Sequence, residues 1–185
     1  MRIQTNDEVP MKYAIADANG WTTTLMISIG VATLCAPFVL WSYAPDDFQS
    51  FVIALAICAS VAAPFIWLAI AQSRAEVRLT DSGLQLTIPW YGRHIDYTQI
   101  DVQGITTVDL NSDTPLRPRW RSNGVGLPGL RLGWFRTRDK RKALLAVTQS
   151  KVIAIPTHDG YVLIASVASP QALADAIRKR ALTSA

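Results

Sequence analysis

Charge is what much of this sequence lacks. Only 17% of its 185 residues are charged, against about 25% in an ordinary soluble domain. The shortfall is local. No charged residue occurs from Ala18 to Pro45, nor from Phe48 to Ser73, and only Asp46 and Asp47 separate the two stretches. Cysteine is scarce too. Cys35 and Cys58 are the only ones, each inside an uncharged stretch, where they act as small hydrophobes. The two histidines, His94 and His158, are distant from both in sequence. That leaves too few ligands for a zinc site. Neither apolar stretch holds an ionisable side chain, which argues against a proton or ion pathway.

What is present in those stretches is length. Trp21–Tyr43 and Phe51–Ala71 would form helices of about 34 Å and about 31 Å, enough to cross a hydrocarbon core of about 30 Å. Trp21, Trp41 and Tyr43 sit at the ends of the first, where the amphipathic rings of an aromatic belt belong. A cleaved signal peptide fits poorly, because the preceding 20 residues are polar and mixed in charge and the apolar run is too long for an h-region. The linker 44–50 is short and acidic, whereas Lys12 precedes the first span and Arg74 and Arg78 follow the second. Basic flanks stay inside, so the pattern predicts a two-helix transmembrane hairpin with a cytoplasmic tail over 1–20 and both termini cytoplasmic. Small residues recur at four-residue spacing in Ala32/Ala36, Ala56/Ser60 and Ala59/Ala63, a pattern that allows close helix approach. Pro37 and Pro64 sit within Ala-Pro-Phe triplets and mark expected kinks.

Residues 74–185 read as a polar domain. Val77 and Leu79 alternate with Glu76, Arg78 and Thr80; after the turn Asp81-Ser82-Gly83, Leu84, Leu86 and Ile88 alternate with Gln85 and Thr87. This is a two-period hairpin. "RHIDYTQI" and "GITTVDL" follow as strands, then "KALLAVTQ", "KVIAIP" and "YVLIASV". Asp159-Gly160 between the last two is a hairpin turn, which makes His158 turn chemistry rather than a catalytic base. Ser169 and Pro170 begin a final helix. Leu173, Ala176 and Ile177 share its inner face, and Asp175, Arg178 and Lys179 face away. The expected class is α+β: the membrane hairpin, then about seven antiparallel strands curled into a barrel, capped by the C-terminal helix.

That order of strands and final helix, with the stretch from Arg119 to Val167, resembles a bacterial family of pleckstrin-homology (PH) domains. The resemblance covers roughly residues 74–182 and implies a PH-like barrel, often beside membrane spans, without an enzymatic activity. Phosphoinositide-binding PH domains usually place Lys and Arg around the first hairpin loop. Here that loop is Asp81-Ser82-Gly83, so that specificity does not carry over.

One run remains, "RPRWRSNGVGLPGLRLGWFRTRDKRK". Its Gly124-Val-Gly126-Leu-Pro-Gly129 spells G-x-G-x-x-G. A dinucleotide loop must follow a strand and open a helix, and the next residues are poor helix material. Pro128 also removes an amide donor. Turns and close backbone approaches at Gly124, Gly126, Gly129 and Gly133 are the expectation. Nine basic residues crowd 117–142 against Asp139 alone. From Gln72 onward 16 Lys and Arg face 9 Asp and Glu. Without a recognition helix or an aromatic RNA platform, nucleic acid is disfavoured, and anionic lipid headgroups are the expected attraction. Arg136, Arg138, Lys140, Arg141 and Lys142 form the candidate patch for lipid or a protein partner. No catalytic motif, cofactor or metal is expected. The resulting expectation is a tethered, non-catalytic interaction or scaffold module in a bacterial inner membrane. The alternative is an accessory subunit of an integral complex, packing through its hairpin.

Overall fold

Long uncharged runs without internal glycine pairs favour unbroken helices, and two form: α1 (Gly20–Tyr43) and α2 (Phe48–Gln72). The structure is a computed structural model that describes residues 11–15, 20–43, 48–72, 75–88, 90–112 and 114–183. Asp46, Asp47 and Arg74, which support the expected topology, lie outside the described residues, as does the Trp21 side chain. Both helices are long and apolar enough to cross a membrane, and most of their side chains point outward (Leu40 is 65% exposed, Ile57 59%). The chain divides into two compact units, the helical hairpin and a domain that joins residues on both sides of it.

Within the hairpin, α1 and α2 pack along Met26, Gly30 and Pro37 on one side and Ala62 on the other. A Cβ on Gly30 would come within 3.0 Å of Ile66 Cγ1, so glycine allows the approach. Phe51 stacks against Phe38 and Trp41, with centroids 5.3 and 5.1 Å away. The small-residue faces expected to pack here do not: Ala32, Ala36, Ala56, Ser60, Ala59 and Ala63 are all exposed. The packed face carries Met26, Gly30, Pro37 and Ala62 instead, with Ile66 against Gly30.

The domain holds two sheets. A four-stranded antiparallel sheet has the order β1-β2-β3-β4, from Met11–Ala14, Glu76–Leu79, Gly83–Thr87 and Arg93–Asp96. Residues 11–14 were expected in a tail. Instead Ala14 pairs with Glu76 and Met11 with Leu79, and Ile15 N–H donates to the Ala75 carbonyl at 3.2 Å. A lone four-residue strand has no signal of its own; its pairing with β2 makes it one. The expected third strand stops at Asp96, where a 3₁₀ turn begins at Tyr97, and the buried Tyr97 donates its hydroxyl to the Thr80 carbonyl at 2.9 Å.

The second sheet has six strands, β5 (Thr106–Asp109), β6 (Pro118–Leu127), β7 (Leu130–Thr137), β8 (Lys142–Val147), β9 (Lys151–Pro156) and β10 (Tyr161–Ala165), in the order β5-β9-β10-β8-β7-β6. Three expectations are corrected here. Among the described residues nine strands follow Ala75, not about seven, because the Arg/Gly run folds into β6 and β7. The two sheets share no ladder among the described residues, so they do not close into a hydrogen-bonded barrel. Nor is the second sheet wholly antiparallel, since β10 lies parallel to β8 and between β8 and β9. Residues 148–150 therefore step over one strand. Ser166 pins that step. Its buried hydroxyl accepts from Thr148 and Gln149 N–H at 3.2 and 3.1 Å and donates to the Gln149 carbonyl at 3.1 Å. All of its capacity is used.

Strands β8, β9 and β10 are near-continuous apolar runs, as strands buried on both faces must be. One face, with Phe135, Leu145, Val152 and Ile164, is covered by Leu110 and Leu116. Helix α3 (Pro170–Thr183) buries Leu173, Ala174 and Ile177 and lies beside β5 and β9. Its arginines do not simply face away. Arg178 donates to the Ile105 carbonyl at 3.2 Å, and Arg180 to the Leu79 and Thr80 carbonyls at 3.3 and 3.1 Å. They tie the helix to both halves of the domain.

Candidate functional site

The glycine motif resolves into strand geometry. Pro128 and Gly129 form the two-residue turn between β6 and β7, with Leu127 facing Leu130 and Gly129 at φ +75°. Proline then glycine at the two central positions matches a type II turn. Gly124 and Gly133 face each other across the strands at φ +151° and +106°. A Cβ on Gly124 would lie 2.2 Å from the Leu132 carbonyl oxygen, and one on Gly133 2.6 Å from that of Asn123 and 3.0 Å from the Tyr91 ring. Tyr91 occupies the space above the pair and donates its hydroxyl to Asn123 Oδ1 at 2.9 Å. Gly126 differs. A Cβ there would meet nothing nearer than Phe135 at 3.8 Å, so the close approach expected at Gly126 is absent.

The five basic residues lie at the β7–β8 hairpin, and all are exposed. They are not equivalent. Asp139, in the turn, accepts from the Thr137 hydroxyl and pairs with Arg141 Nε at 2.5 Å. Burial pushes its carboxyl up, but the hydrogen bonds from Thr137 and Arg141 and the Arg141 charge outweigh that and hold it below the usual carboxylate range. Arg141 is thus neutralised within the turn. Lys140 sits at φ +67°, which closes the turn, and its carbonyl accepts from Arg136 Nη1 at 3.3 Å. Arg138 N–H donates to the Arg117 carbonyl at 2.9 Å, joining the turn to the start of β6.

Arg136 and Lys142 are opposite one another across β7 and β8. Their neighbours extend the row: Trp120 on β6 is the partner of Arg136, and Tyr161 on β10 is the partner of Lys142. Lys142 Nζ lies 4.3 Å from the centre of the half-buried Trp134 ring. Arg93, on β4, approaches the same ring at 5.3 Å and the Tyr161 ring at 5.6 Å. Trp134 and Tyr161 meet edge to face at 5.3 Å. Burial raises the Tyr161 hydroxyl above its ordinary pKa, partly opposed by the Arg93 guanidinium. Sequence spacing had no route to Arg93, Trp134 or Tyr161 as members of this group. They are 41 and 27 positions apart along the chain, and only the fold brings them together, with β7 and β10 on either side of β8 and Arg93 reaching them from β4. Trp120, 69% exposed, stands beside them.

The domain of two β-sheets with a C-terminal helix displays a cation-rich sheet end, and no nucleophile and base are assembled among its described residues. The sequence profile of the bacterial PH domain family matches residues 75–181. The chain belongs to that family, whose domains are generally non-catalytic. No curated protein and no solved structure matches it.

Proposed function

We propose that this protein is a non-catalytic interaction or scaffold module anchored in a bacterial inner membrane, with its PH-like domain at the cytoplasmic face and its basic sheet end toward anionic lipid headgroups. The observation that carries this reading is the outward-facing apolar surface of α1 and α2, of which only 17% and 11% of the most apolar window is buried. Water would not tolerate that surface, and lipid would. The pairing of β1 with β2 supports placing both ends of the hairpin on one side, because strands before and after it belong to one sheet. The positive balance of the domain supports the cytoplasmic side and the attraction to anionic lipid, at about 1 kcal/mol per nearby Lys or Arg. A reporter fused after Ala185 should be cytoplasmic and a tag at Asp46 accessible from outside. A protected tag with an external C-terminus would overturn the topology. Replacing Arg136, Arg138, Lys140, Arg141 and Lys142 by Gln should remove salt-sensitive affinity for anionic vesicles with folding intact.

A second reading is favoured by one feature. The small-residue faces of α1 and α2 are exposed rather than used between the two helices, and such faces suit packing against another integral protein. In this reading the protein is an accessory subunit, held through its hairpin. Replacing the hairpin with an unrelated two-span anchor should abolish co-purification of a partner in mild detergent, whereas a partner bound to the domain would persist.

A further inference from the structure

Two cations, Arg93 and Lys142, share the Trp134 ring, and Arg136 is the cross-strand partner of Lys142; none of the three has a carboxylate within ion-pair distance among the described residues. We propose that Arg93 and Lys142, which share the Trp134 ring, form with Arg136, the cross-strand partner of Lys142, a binding site for a single phosphate group, carried by a lipid headgroup or free in solution. This rests on the reading that the sheet end faces anionic ligands, and narrows it to named residues.

The first support is the arrangement of like charges. Arg136 and Lys142 are direct cross-strand partners, and like charges placed so destabilise a sheet. Arg93 adds a third positive charge, held with Lys142 at the same ring. Exposed cation–π contacts return only about 0.5–1 kcal/mol each, and an anion between the cations would relieve the remaining repulsion. Arg78, Arg141 and Arg178 differ: each pairs with an acid close in sequence, Glu76, Asp139 and Asp175. The second support is rigidity. The three residues stand on β4, β7 and β8 rather than on loop tips, and Trp134 and Tyr161 brace one another. A planar guanidinium offers a fork of N–H groups that suits phosphate oxygens, and an ammonium adds a point charge. Arg136 spends one N–H on the Lys140 carbonyl, leaving the rest of its fork. An opposing influence is Asp159, whose charge reaches Tyr161.

The test uses the full chain in neutral detergent, with binding measured by calorimetry at fixed ionic strength. The ligands are inorganic phosphate, dihexanoyl phosphatidic acid and, as a control, dihexanoyl phosphatidylcholine. The wild type should bind the first two and not the third. Arg93→Gln, Arg136→Gln and Lys142→Met should each weaken binding about tenfold or more, the scale of one lost charge-assisted hydrogen bond. Arg131→Gln removes the same charge from the far end of β7 and should change binding by less than about twofold, because screening over a Debye length of about 8 Å leaves little long-range effect. Circular dichroism checks each variant, and Arg93→Lys, which keeps the charge, replaces Arg93→Gln if that variant unfolds; it should retain most binding. Tighter binding of phosphatidic acid than of phosphate assigns the site to a headgroup, and equal binding assigns it to phosphate alone. Equal losses in Arg131→Gln and the three site variants would overturn the site in favour of a diffuse field. So would the absence of phosphate binding. If recruitment of the protein's domain to anionic vesicles persisted in that case, the broader lipid reading would survive the loss of the site.

Discussion

Ser166 illustrates how a single buried polar group can hold a topology. Its three hydrogen bonds fix the step by which residues 148–150 pass from β8 to β9 over the end of β10. Ser166→Ala would leave the Thr148 and Gln149 amides without their acceptor, at about 1–3 kcal/mol, measurable as a lower urea midpoint. Glycine substitutions should separate equally clearly. Gly133→Ala places a Cβ at positive φ and against the Asn123 carbonyl, a strain of about 1–3 kcal/mol, whereas Gly126→Ala should be neutral or slightly stabilising because the Cβ meets only ordinary contact. Asp139 gives a pH signature. Its folded pKa is depressed by Thr137 and Arg141, so its contribution is present above the unfolded carboxyl pKa and lost as pH falls through the folded value. Asp139→Asn should therefore be less stable than wild type at neutral pH, and the difference should vanish in acid. A difference that grew on acidification would show that the ion pair is not what holds this turn.

Among the elements, α3 is the most exposed to a simple test. Leu173 and Ile177 are fully buried, each stabilising by about 1.5–3 kcal/mol through burial alone. Ile177→Asp would force an unpaired charge into that site, and several kcal/mol of destabilisation should follow. An unchanged melting temperature would remove the helix from the core. Its start and two of its buried residues, Leu173 and Ile177, were readable in advance from Ser169, Pro170 and the 3.6 period, whereas the burial of Ala174 rather than Ala176 and the inward bond of Arg178 were not. The pair β6–β7 was not. Alternation is visible in Leu130, Leu132 and Trp134, but glycines and arginines interrupt it, and the cross-strand Gly124–Gly133 approach that makes those glycines useful exists only in the paired state. The membrane helices show the same division. Their existence follows from uncharged length, yet the face they share does not, because Ala, Gly and larger apolar residues are spread around both helices.

At the scale of the whole molecule, the hairpin is inserted where a β-turn would otherwise join β1 to β2. Ile15 and Ala75 stand opposite each other across that gap. A chain in which residues 16–74 are replaced by Asn-Gly should close it, since Asn-Gly favours the type I′ turn that two-residue hairpins use. It should give a mainly β circular dichroism spectrum with a minor helical part and melt several degrees above residues 75–185 alone, which lack β1. Equal melting temperatures would show that β1 adds nothing to the domain. The sequence by itself determined the division into an uncharged helical hairpin and a charged β-rich domain, the first hairpin, the Asp159-Gly160 turn, the final helix and the concentration of positive charge. These are local properties, set by charge, period and turn chemistry within a few residues. Only the tertiary structure decided that residues 11–14 belong to the domain, that β10 lies between β8 and β9, and that Arg93 joins Lys142, the cross-strand partner of Arg136, at Trp134. Those outcomes depend on which strands become neighbours, and strand adjacency is fixed by burial summed over the whole core rather than by any stretch of sequence read alone.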